Sequence, residues 1–166
     1  MKKTIVSFLL VVFSLIFAVS CSQSAVELTG SLSDITAKAC NAADFSSVSF
    51  TYMQDEHSEE VLMYMYGIED ETALSAIEDF VVSERSGMYA ATFAAIDFKD
   101  GTDSAVIDSV ESLITDVYVQ ALITALMPYD PDQTALAQAY EFREYGNTLV
   151  LVISEDNTAV FEAITK

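Results

Sequence analysis

The chain has no tryptophan, one histidine, two cysteines, two prolines and five glycines in 166 residues. Each scarcity removes a class of chemistry. With His57 as the sole histidine, a structural zinc site has too few ligands, since it takes four Cys or His side chains. The scattered glycines form neither a phosphate-cradling loop nor a dinucleotide fingerprint. No Gly-x-Ser-x-Gly elbow occurs and Cys40 has no histidine near it in sequence, so hydrolase triads lack material. Without tryptophan, and with aromatics that read as core and strand residues, a sugar platform is unsupported.

Positive charge is scarce as well. Seven Lys and Arg face 26 Asp and Glu, a formal net charge of −19. Such a surface repels phosphates, which excludes nucleic acid as a partner and argues against adhesion to anionic lipid headgroups. With 52% apolar residues the chain nevertheless has the material for a core, which argues against disorder.

What is present begins at the N-terminus. Lys2 and Lys3 precede an apolar run from Ile5 to Val19, interrupted by Ser7 and Ser14, and Ala18-Val19-Ser20 then leads into Cys21. Small residues directly before a cysteine match the lipobox of prelipoproteins, with Ala18 where leucine is commonest. A spanning helix needs about 20 apolar residues, so the run is short for a membrane anchor. The sequence therefore predicts a lipoprotein signal peptide over 1–20, lipidation of Cys21 with a short tether over 21–30, and a single acidic globular domain over 31–166. Two acyl chains on Cys21, at about 0.8 kcal/mol per buried methylene, would hold the protein firmly to the extracytoplasmic face of the cell membrane. Loss of Lys2 and Lys3 brings the mature charge to −21. The tether of roughly ten residues reaches at most about 33 Å, which keeps the domain close to the bilayer. Cys40 is then an odd thiol in an alanine-rich stretch and reads as a small buried hydrophobe.

Along the domain, helical and strand periods alternate. Helices are expected over 31–43, over 58–66 stopped by Gly67, and over a long stretch after Asp103 that ends at Pro128. In that long helix, Val106, Val110, Leu113, Val117 and Ala121 form the expected core stripe. Strands are expected over 47–53, and in two hairpins, 77–84 with 89–98 and 139–145 with 148–153, the second turning at Gly146-Asn147. A short turn or helical segment is expected over 131–137, and a closing helix capped by Asn157 carries Val160, Phe161 and Ile164. Leu149-Val150-Leu151-Val152-Ile153 has no polar position and reads as a central strand buried on both faces. The expected fold is α+β: a mainly antiparallel sheet of four or five strands, built from two strand-strand-helix units, with helices packed on one face.

Tyr66-Gly67-Ile68, the hairpin ending in Lys99-Asp100, the run Tyr129-Asp130-Pro131-Asp132-Gln133 and the stretch from Tyr145 to Ser154 carry a family likeness. Together with the lipoprotein signal they resemble a domain-of-unknown-function family of small lipoproteins from Gram-positive, clostridia-like bacteria. The resemblance covers most of residues 50–166. It implies the same address and a compact α+β domain, and it implies no catalytic residue. The almost wholly apolar stretch from Val117 to Met127 departs from that family, where charge is expected.

The remaining candidates are few. His57 lies among Asp55, Glu56, Glu59 and Glu60, where a solvated histidine is the commoner case than a base or ligand. Asp97, Asp100 and Asp103 surround Gly101, but Lys99 occupies a ligand position of a calcium loop and no glutamate follows at the required distance. Capping and turn formation account for these aspartates and for Asp130 and Asp132. No catalytic set, metal site or cofactor emerges.

Surface is what remains. Between Val117 and Met127 only Gln120 and Thr124 interrupt an apolar run that spans the helix circumference, and a helix apolar all round must be covered on all sides. Either the first helix covers it, the favoured alternative, or another molecule docks there through Val119 and Ile123. The sequence thus favours a noncatalytic, membrane-anchored binding or accessory module for a protein, peptide or cationic partner. An extracytoplasmic hydrolase using acidic residues is the alternative.

Overall fold

A computed structural model describes residues 28–45, 48–51, 58–85 and 87–166. It is an α+β fold around one antiparallel sheet of five strands in the order β1-β2-β3-β5-β4. The strands are β1 (Val48–Thr51), β2 (Ile77–Glu84), β3 (Thr92–Phe98), β4 (Glu141–Tyr145) and β5 (Thr148–Ile153). The helices are α1 (Leu32–Ala42), α2 (Ser58–Tyr66), α3 (Glu71–Ala76), α4 (Ser104–Ile114), α5 (Gln120–Leu126), α6 (Pro131–Gln138) and α7 (Asn157–Ile164). A π-helical turn, Thr115–Val119, joins α4 to α5 without a break.

Local chemistry sets the element ends. Ser31 and Asp34 form a reciprocal capping box at the start of α1, each side chain accepting from the other's backbone N–H. Asp70, Asp103, Asp130 and Asp156 cap α3, α4, α6 and α7. The acidic residues at turns are therefore largely helix caps. Asn157, expected as the last cap, instead accepts from the N–H and hydroxyl of Ser154 and donates to the Ala139 carbonyl. Short α3 escapes the sequence reading, because six residues hold less than two turns of periodicity.

The two hairpins form in the expected order, each followed by helix. Gly146 alone has positive φ (63°) in the second turn, the pattern of a II′ rather than a I′ turn. A bulge between Ile77 and Asp79 turns both Ile77 and Phe80 to the same side of the sheet.

Helices cover both faces of the sheet, which corrects the expectation of a single covered face. On one face Phe80, Val82, Ala94, Ile96, Phe98, Leu149, Leu151 and Ile153 pack against α2 through α6. On the other, Val81, Phe93, Ala95, Val150 and Val152 pack against Leu32, Ile35 and Ala39 of α1 and Val160, Phe161 and Ile164 of α7. The reason is visible in β3 and β5, where almost every position is buried instead of every second one. β5 lies between β3 and β4 as an interior strand, and Leu149, Leu151 and Ile153 are buried as expected.

The apolar run after Val117 also has a structural answer. The buried residues of α4 are Ile107, Val110 and Ile114, and the next buried position is Val119, a step of five. Ile123 and Leu126 then continue the stripe. The π-helical turn inserts one residue into the helical period, so the inward face changes partway along. Of the expected stripe only Val110 is fully buried, and Val117 is exposed. The cover comes from α2 and α6, through Leu62, Tyr66 and Ala137, and not from α1, which lies across the sheet.

Candidate functional site

Val119 and Ile123, expected to offer a docking surface, are 0% and 7% exposed. Both belong to the core cluster beneath α2 and α6, so neither presents a surface to a partner. The sequence pattern was apolar on all sides because the π-helical turn uses two different faces in succession. Cys21 and His57 lie outside the described residues. Cys40 is half-buried at the edge of the α1 face, with Sγ 3.6 Å from the Ser83 hydroxyl. Among the described residues no group of His, Cys, Asp and Glu is arranged to hold a metal ion.

The two carboxyls that burial raises, among the described residues, do not converge. Asp97 sits on the α1 face, where burial pushes its carboxyl above the ordinary range, against the lowering effect of the Thr148 hydroxyl 2.6 Å away. Glu111, on α4 across the sheet, is raised by burial and then by Glu144 and Asp108. Neither lines the cavity described next.

That cavity, of about 260 Å³, opens at the end of the sheet where β2 and β5 finish and β3 begins. Its apolar wall is Ala42, Ala43, Ala91 and Leu136. The polar groups come from four separate places. Asp44 follows α1, Arg85 and Tyr89 belong to the β2–β3 connection, Gln133 stands in the first turn of α6, and Ser154, Glu155 and Asp156 lead from β5 into α7.

Each has a local reason for its position. The N–H of Arg85 donates to the Ala91 carbonyl (3.0 Å), which closes the hairpin below the loop. Its guanidinium lies 3.9 Å from the centroid of the Tyr89 ring, and Nε is 3.5 Å from a carboxylate oxygen of Asp44. The aromatic face and the carboxylate together hold the side chain along the cavity edge. Gln133 Oε1 accepts from the Ala90 N–H at 2.8 Å, which fixes the amide and leaves its NH₂ group as a donor. Asp156 accepts from the Ala159 N–H at the start of α7, so that helix end already carries a carboxylate.

On the other side of the hairpin base lies a second polar cluster. The Tyr118 hydroxyl donates to Glu84 Oε1 at 2.5 Å and lies 2.8 Å from the Thr92 hydroxyl. Burial, followed by the Glu84 charge, pushes the Tyr118 phenol far above its ordinary range. It is therefore a neutral donor at any physiological pH. Because Tyr118 belongs to the π-helical turn, this cluster ties the turn to the ends of β2 and β3, which carry the cavity loop.

No local pattern in the sequence marks Arg85, Tyr89, Gln133 or Ser154 as parts of one site. One signal was available: the chain has only two arginines, and one falls in a hairpin loop beside an aromatic residue. The other, Arg143, lies 4.0 Å from the centroid of the Phe161 ring.

The family model described as "Domain of unknown function (DUF4358)" matches residues 46–154, and the chain belongs to that family. The matched span holds the five strands and helices α2 to α6, while α1 and α7 lie outside it. No curated protein and no solved structure matches the chain.

Proposed function

We propose that the mature protein is a lipid-anchored binding or accessory module on the extracytoplasmic face of the membrane of a Gram-positive bacterium. The domain over 31–166 does the binding and Cys21 supplies the address. The single observation that carries the address is the succession of Lys2-Lys3, an apolar run and Ala18-Val19-Ser20-Cys21. No helix among the described residues is long and apolar enough to cross a membrane.

Binding as the activity is supported by the cavity. It sets polar and charged side chains from four separate segments against a small apolar wall of Ala42, Ala43, Ala91 and Leu136. The family description adds no reaction to this.

Cell fractionation with palmitate labelling tests the address. The parent protein should label and sediment with membranes, and Cys21→Ala should neither label nor be retained as the processed form. A Cys21→Ala protein that is processed and retained like the parent overturns the reading.

A further inference from the structure

We infer that the cavity at the end of the sheet takes a free α-amino acid, and a basic one in preference to a neutral or acidic one. The inference rests on the binding-module reading and adds the ligand class. Size sets the first limit: at about 260 Å³ the space falls below the roughly 300–1,000 Å³ usual for drug-sized ligands, so the occupant is small.

Charge sets the second. Asp44, Glu155 and Asp156 face one cation, Arg85, so the lining is net negative. An anion has little to gain there, and the N-terminus of α7, which could otherwise attract one, is already capped by Asp156. Yet the lining is not uniformly acidic. Arg85 engages Asp44 through Nε, and its guanidinium carries further N–H donors suited to a carboxylate. Gln133 adds an amide NH₂ group whose orientation is fixed by the Ala90 N–H. Residues able to donate to a carboxylate and residues able to accept from an ammonium thus line one small cavity with an alanine and leucine wall. An α-amino acid supplies both groups, and a basic side chain uses the excess of carboxylates.

The Tyr89 ring is already covered by the Arg85 guanidinium, so a ligand meets Arg85 as a placed cation and not as a free surface side chain. Holding the guanidinium in advance reduces the ordering that binding must impose.

Calorimetric titration of the full chain in detergent tests this with five probes: L-lysine, L-alanine, L-glutamate, cadaverine and Nα-acetyl-L-lysine. L-lysine should bind most tightly and L-glutamate least among the three free amino acids. Cadaverine, which lacks the carboxylate, and Nα-acetyl-L-lysine, which lacks the α-ammonium, should each bind about tenfold or more weaker than lysine, a loss of about 1.4 kcal/mol. Arg85→Gln should reduce lysine affinity by a similar factor while leaving cadaverine bound at least as tightly as in the parent. Glu155→Gln, at an exposed turn position, should weaken lysine and cadaverine alike. Absence of lysine binding at millimolar concentration, cadaverine binding as tightly as lysine, or an Arg85→Gln protein that folds and binds lysine unchanged each overturns the inference. None of these results touches the anchoring at Cys21, which fractionation tests separately.

Discussion

Gly67 approaches Val117 so closely that a Cβ at position 67 would lie 2.4 Å from Val117 Cγ2. This contact joins the end of α2 to the π-helical turn at the point where the long helix changes its inward face. Gly67 also has φ of 71°, a left-handed conformation that L side chains rarely adopt. Two independent constraints therefore demand glycine. Gly67→Ala should destabilise the protein by about 1–3 kcal/mol in urea unfolding, as overpacking and backbone strain do elsewhere. Val117→Ala in the same background should recover part of the steric cost, since the Val117 Cβ still lies 3.0 Å away, and leave the backbone part. A Gly67→Ala protein as stable as the parent would mean that the α2 end and the π-helical turn do not meet in this way.

The burial of Val119 and Ile123 turns a docking expectation into a folding one. Val119→Ser or Ile123→Ser should lower stability by about 2–5 kcal/mol, the range of large-to-small core truncations. Val117→Ser, at an exposed position on the same turn, should cost far less. Thermal unfolding of the three variants separates the two faces. Equal effects at 117 and 119 would contradict the change of face.

Asp97 gives a pH dependence with a defined sign. Its carboxyl is raised by burial, so in the window above about pH 4 the folded protein holds this proton more tightly than the unfolded chain does. Its contribution to stability is therefore largest at low pH and is lost as pH rises through the folded value. Asp97→Asn removes the titration while keeping an acceptor for the Thr148 hydroxyl. The stability of the variant relative to the parent should grow between pH 4 and pH 7, measured by urea unfolding at each pH. A difference that is flat or shrinks over that range would contradict the assignment.

Much of the fold was legible from particular residues. β5 is readable because five consecutive apolar residues between Gly146-Asn147 and Ser154 suit a short strand buried on both faces, and the expected bounds of β2, Ile77–Glu84, are the observed ones. Coverage of both sheet faces was less visible, since in β3 the small Ala94 and Ala95 and the polar Asp97 mask a strand buried on both sides. The long helix was found, but a constant period of 3.6 predicts the wrong inward face once the π-helical turn adds a residue. The cavity was hardest, because its polar residues come from four separate segments, and no local pattern links Asp44, Arg85, Gln133 and Glu155 before folding brings them together.

The central claim, that the domain is held at the membrane through Cys21, is tested most directly by intact-mass spectrometry of the protein isolated from the membranes of a Gram-positive expression host. The account predicts a chain that begins at Cys21 and carries the added mass of a diacylglycerol on that residue. A chain that begins at Met1, or one cleaved elsewhere and bearing no lipid, would contradict it.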